Sequence, residues 1–81
     1  MNVSILTPDA HLFEGEIKSV KVPGVNGQFE ILENHAAIVS ALGEGDVTVK
    51  KTDGSVENFT ILNGFIEVLK NKVSILVQSA Q

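Results

Sequence analysis

The sequence predicts an all-β fold, an antiparallel sandwich or barrel of seven to ten short strands, and three observations carry that reading. Apolar residues recur at every second position, as in Val47-Thr48-Val49-Lys50 and Val73-Ser74-Ile75-Leu76-Val77, which is the period of a half-buried strand. Turn signals punctuate these runs at Asp53-Gly54, Asn63-Gly64 and Lys70-Asn71. No stretch of twelve residues carries a 3.6-residue apolar period. Frequent turns between short alternating runs define this architecture.

The elements follow in order. Val3 and Ile5 share one face of a first strand, Asn2 to Leu6, which Thr7-Pro8-Asp9 closes. His11-Leu12-Phe13 resumes in extended form, and Gly15 marks a bulge or bend before a strand over Ile17 to Val22. That strand is expected to end at Val22, where it meets Pro23-Gly24. Gly24 and Gly27 then give the loop a prescribed shape, since glycines so placed supply positive φ or close backbone approach. Gln28-Phe29-Glu30-Ile31 alternates as a strand, and Leu32-Glu33-Asn34-His35 breaks the period. Ala36 to Leu42 reads as a strand, because Ile38-Val39 is β-branched. Gly43-Glu44-Gly45-Asp46 is a turn. Asp53-Gly54 is read as a two-residue hairpin, Asn63-Gly64 as a second and Lys70-Asn71 as a third.

Residues 1–81 are read as one domain, with no linker, low-complexity segment or repeat. A chain of this size buries only about 60% of the surface its unfolded form exposes. With no cysteine to add a disulfide, the fold rests on its 43% hydrophobic residues or on a partner. The net charge is −4, and all six basic residues are lysines at scattered positions. The absence of arginine removes the bidentate phosphate clamp, and four phenylalanines make a poor base-stacking platform. Nucleic acid is therefore excluded as a partner. No apolar run approaches a membrane span and the first residues lack a signal peptide's basic start, so a soluble chain without membrane insertion is expected.

Little in the sequence suggests chemistry. His11 and His35 lack a second ligand at metal spacing, even with Asp9 or Glu33 considered, so no metal is expected. No motif orders the serines, histidines and aspartates into a triad. Glu14/Glu16 and Glu30/Glu33 read as solvated strand faces rather than glycosidase carboxylates, lacking an aromatic cleft. Gly24-x-x-Gly27 leads into a strand and not a helix N-terminus, so it is no phosphate cradle. No cofactor is expected. The hairpin reads instead as a backbone and a Gln28 side chain presented to a protein.

The run Val22-Pro23-Gly24-Val25-Asn26-Gly27-Gln28-Phe29-Glu30-Ile31-Leu32-Glu33-Asn34-His35-Ala36 resembles the signature of the F-type ATP synthase epsilon subunit. Asn63-Gly64-Phe65-Ile66-Glu67-Val68 and Asn71-Lys72-Val73-Ser74-Ile75-Leu76-Val77 are similar to that family's later blocks, in the same order. The resemblance covers essentially the whole chain. Glu33, Ala37 and Glu44 stand where the family commonly has proline, which leaves those turns less pre-set. The family's C-terminal helical pair, with its inhibitory and nucleotide-binding motif, has no counterpart in this sequence.

The resemblance implies a ten-stranded antiparallel sandwich and a non-catalytic rotor role in the central stalk, joining the gamma subunit to the membrane ring of subunit c. It implies a proton-translocating synthase, with the chain peripheral on the cytoplasmic face of a bacterial inner membrane. Carried over by residue, Gly24, Asn26, Gly27, Gln28 and Glu30 face the ring, and His35, Ala36, Ala37 and Ile38 lie towards gamma. Two other classes remain on composition alone. A sandwich binding a carbohydrate or small ligand would show exposed aromatics on a concave face, whereas the four phenylalanines are expected in the core. A small hydrolase would need convergent acids in a cleft.

Overall fold

The computed structural model describes residues 1–79 and consists of seven β-strands with no helix among them. They are β1 (Asn2–Leu6), β2 (His11–Gly24), β3 (Gly27–Leu32), β4 (Ile38–Leu42), β5 (Gly45–Lys51), β6 (Val56–Leu69) and β7 (Lys72–Ser79). Hydrogen bonding joins them in the order β1-β7-β6-β4-β2-β3, and β5 bridges β2 and β6. A further β1–β2 pairing folds the sheet back on itself around one core. The all-β expectation holds. The strand count and the uniform antiparallel pairing differ from it.

Seven strands replace ten because β2 and β6 each run 14 residues without a break. Each long strand serves two sets of neighbours. β2 pairs with β1 through residues 11–16, then with β3 and β5 from Ile17 onward. β6 pairs first with β5, then with β4 and β7. The irregularity expected at Gly15 lies instead between Ile17 and Ser19, where the register against β5 shifts. Asn63-Gly64 forms no hairpin. It lies inside β6, next to a register shift against β7 between Ile61 and Asn63. Gly64 is there for closeness, because a Cβ on it would run into the Leu76 carbonyl oxygen and lie 3.0 Å from the Val77 Cα. β1 and β7 pair in parallel, Asn2 opposite Lys72 through Leu6 opposite Leu76. The rest of the chain is their crossover, so no tight connection forbids it.

The alternation read from the sequence sets the core. Val3 and Ile5, Val20 and Val22, Val47 and Val49, Ile66 and Val68, and Val73, Ile75 and Val77 are all buried. The phenylalanines divide. Phe13 and Phe59 pack against the core edge with ring centroids 6.2 Å apart, and Phe29 is partly buried against it. Phe65 is 60% exposed, contrary to expectation, because Ile66 and Val68 take the inward parity of β6.

The turns keep their chemistry but not always their length. Lys70 and Asn71, with φ of 50° and 61°, make the two-residue turn that asparagine tolerates. At Asp53-Gly54 the connection is four residues long, with Gly54 at φ 91°. The Asp53 carboxylate accepts bonds from the Ser55 hydroxyl at 2.6 Å and then the Ser55 N–H at 2.9 Å, which hold that carboxyl below its usual range. β2 continues through Pro23 to Gly24, beyond the expected end at Val22, and of the expected turn 43–46 only Gly43 and Glu44 lie outside strands.

Candidate functional site

The nine residues singled out from the sequence fall into two groups at opposite ends of β3. At one end, Gly24 and Gly27 face each other as the last pair of the β2–β3 ladder, and Val25-Asn26 forms the tip between them. Gly24 allows a close approach, since a Cβ there would sit 2.6 Å from the Gly27 carbonyl oxygen and 2.7 Å from the Phe29 ring. Gly27 has φ 128°, a conformation that L side chains rarely adopt, although its surroundings are open. Asn26, Gly27 and Gln28 are exposed beside it. Glu30 is exposed too but stands farther along the strand, opposite Lys21. Asn26, Gly27 and Gln28 thus stand exposed at the hairpin tip, and Gly24, half-buried, closes its base.

Because strain and not a clash restricts Gly27, Gly27→Val is expected to cost roughly 1–2 kcal/mol of stability, read from a urea titration. Val25→Ala, at an exposed position, should change it little.

At the other end the chain leaves β3 through Glu33 and Asn34, the latter at φ 65°, and the His35 N–H donates to the Leu32 carbonyl at 3.1 Å. His35 is half-buried, with Nδ1 2.8 Å from the Ala36 carbonyl oxygen. Ala36 and Ala37 are exposed, and strand pairing begins only at Ile38, opposite Val68. Ile38 packs partly on the core. Ala37, Ile38, Val39, Glu67, Val68 and Leu69 line a shallow depression of about 270 Å3. Its apolar rim, Val39 at 71% and Leu69 at 55% exposed, escaped the sequence reading. The available signal was parity, since each residue neighbours an inward-facing one.

Two ties fix this second segment. The Asn34 N–H donates to Asn71 Oδ1 at 2.6 Å, and Asn71 Nδ2 donates to Asn34 Oδ1 at 3.0 Å, which binds the segment to the β6–β7 turn. The Met1 ammonium donates to Glu33 at 3.0 Å and to Glu16 at 3.1 Å. Glu33, at the position where proline was missing, thus has a tertiary anchor instead. Both ties join residues far apart in sequence, so no local pattern could reveal them.

The hydrogen bonds to Glu33 and then Glu16 raise the Met1 ammonium above its ordinary value near 8.0. A raised folded-state value gives stability that is fully present below the unfolded value and lost as pH rises through the folded one. Stability should therefore fall above about pH 8. Urea midpoints at pH 7 and at pH 10 test this, and the fall should shrink when Glu33→Gln and Glu16→Gln are combined.

A larger groove of about 760 Å3 lies over β1, β6 and β7, with Leu6, Pro8, Phe65 and Leu76 among its lining residues. Phe65 is its one aromatic, short of the set a sugar-binding face requires. Among the described residues no three histidine, cysteine or carboxylate side chains cluster as metal ligands, and no helix is long and apolar enough to cross a membrane.

Fold and site together define a small all-β domain whose singled-out residues, Glu30 apart, lie in or beside the connections at opposite ends of one strand. The chain belongs to the family described as the ATP synthase delta/epsilon chain β-sandwich domain, whose model matches residues 1–81. It is 45% identical over 76 residues to the ATP synthase epsilon chain of Leptospira borgpetersenii serovar Hardjo-bovis (strain JB197), covering 94% of this chain and 59% of that one. It is 42% identical over 76 residues to the ATP synthase epsilon chain of Chlorobaculum tepidum, covering 94% of this chain and 86% of the relative. The chain therefore spans from 59% to 86% of the length of these two curated relatives. Among solved structures, a chain of the Euglena gracilis mitochondrial ATP synthase (OSCP/F1/c-ring in rotational state 1) superposes with TM-score 0.86 at 21% identity, over 93% of this chain and 48% of that one. A chain of the Tetrahymena thermophila mitochondrial ATP synthase central stalk and c-ring gives TM-score 0.78 at 18% identity, over 96% of this chain and 63% of that one. At those identities the likeness is one of fold.

Proposed function

We propose that this chain, as one domain over residues 1–81, is a rotor part of a proton-translocating rotary ATP synthase and joins the gamma subunit to the membrane ring. It makes and breaks no bonds. The observation that carries this reading is the pair of shaped segments at opposite ends of β3, in a chain matched throughout by the epsilon-type family. Gly24, Asn26, Gly27, Gln28 and Glu30 serve the ring side, and His35, Ala36, Ala37 and Ile38 the gamma side.

Torque passes through such a part only if it does not deform between its two contacts. Continuous 14-residue strands shared between neighbours, and a core of β-branched side chains, supply that stiffness. In this reading the chain is peripheral, on the cytoplasmic face of a bacterial inner membrane. Affinity capture from detergent-solubilised membranes tests it. Recovery of gamma together with ring subunits is expected, and recovery of neither would overturn the assignment.

The domain by itself is expected neither to hydrolyse ATP nor to bind it at micromolar concentration, since among the described residues no glycine loop leads into a helix N-terminus. Saturable heats in calorimetry at that concentration would contradict this.

A further inference from the structure

We propose that the hairpin end docks through two loops rather than one: the β2–β3 tip and the β4–β5 turn Gly43–Glu44 form one platform, and Glu44 engages a cationic side chain of a polar ring loop. This rests on the ring-side reading of the hairpin. The two loops exchange backbone hydrogen bonds, from the Val25 N–H to the Ala41 carbonyl at 3.2 Å and from the Gly43 N–H to the Pro23 carbonyl at 2.8 Å. Gly24 and Leu42 pair beneath them.

Two further contacts close the seam. A Cβ on Gly45 would lie 2.8 Å from the Pro23 Cβ, so the proline ring packs directly on the glycine backbone. A Cβ on Gly43 would lie 3.9 Å from Val25 Cγ1, which sets Val25 over the turn while 60% of it stays exposed. The tip cannot shift without the turn. A surface that meets Val25 and Asn26 therefore also meets Gly43 and Glu44.

Charge gives the partner's chemistry. Residues 23–28 and 42–46 contain two carboxylates, Glu44 and Asp46, and no lysine. Asp46 already accepts a hydrogen bond from the Thr60 hydroxyl at 2.9 Å. Glu44 is exposed, and among the described residues it has no ion-pair partner. A neutral tip beside an uncompensated carboxylate fits a polar loop that carries a cation, and repels an acidic one.

The test uses the assembled synthase in native membranes. Asn26→Cys, Glu44→Cys and, at the far end of β5, Thr52→Cys each carry a short photo-cross-linker. Asn26→Cys and Glu44→Cys should both give adducts with ring subunits, and Thr52→Cys should not. An adduct from Asn26→Cys alone overturns the two-loop platform and leaves the ring-side hairpin standing. Adducts from neither overturn both. Equal labelling from Thr52→Cys overturns the platform by removing the preference for this end. Glu44→Lys should lower ring retention about tenfold at low salt, with Glu44→Gln far milder. Equal retention by both variants and the parent overturns the role of the carboxylate.

Discussion

Gly64→Ala should destabilise the domain by about 3 kcal/mol or more, the upper range for overpacking a close-packed site. The added methyl group points at the Leu76 carbonyl oxygen and the Val77 Cα, both backbone atoms of the neighbouring strand. No side-chain rotation relieves that contact, so β6 and β7 must separate or shift register. Their ladder runs from Ile61–Ser79 to Leu69–Lys72 and carries six buried apolar residues: Ile61, Ile66 and Val68, and Val73, Ile75 and Val77. Gly54→Ala is the matched control. It has φ 91° but nothing within 4 Å, so its cost should stay near 1–2 kcal/mol. Urea midpoints measure both, and equal losses would show that close strand approach is not what Gly64 provides.

Ala37→Asp should leave the isolated domain folded and abolish capture of gamma. Ala37 is exposed in the irregular segment before β4, so a carboxylate there disturbs no core contact. Buried unpaired in an interface, the same carboxylate costs several kcal/mol, and ~4 kcal/mol is already nearly a thousandfold in affinity. The adjoining depression, edged by Val39 and Leu69 and lined also by the Glu67 carboxylate, offers the new carboxylate no cation. Circular dichroism and co-purification separate the outcomes. An unfolded variant would make Ala37 a structural residue, and a folded one that still captures gamma would move the contact elsewhere.

Parity was the most legible feature of the sequence. Strict alternation in Val47-Thr48-Val49 and Val73-Ser74-Ile75 left one face for each side chain, and the burial follows it. Glycine was the least legible, because one residue type serves opposite purposes. Asn63-Gly64 has a hairpin's composition, yet Gly64 is there for the backbone of β7, a neighbour formed by residues more than ten positions away. Splitting β2 at Gly15 and β6 at Asn63 raised the strand count, whereas both strands bend through without a break.

The candidate site was legible where its geometry is local. Gly27 needed positive φ, and the tip follows from that. The anchors of the His35–Ile38 segment were not, because Met1–Glu33 and Asn34–Asn71 bring together residues 32 and 37 positions apart. Parity alone points Phe65, Leu69 and Val39 outward, but a single outward apolar residue is ordinary on a strand and does not by itself mark a surface.

Coupling is the central claim, and the ratio of ion pumping to ATP hydrolysis tests it most directly. Inverted membrane vesicles from cells depleted of this chain would be supplied with it, and dye quenching recorded alongside ATP turnover. Pumping per ATP should be low without the chain, restored by the parent sequence, and not restored by Ala37→Asp. The same ratio with and without the chain would contradict a role in joining gamma to the ring.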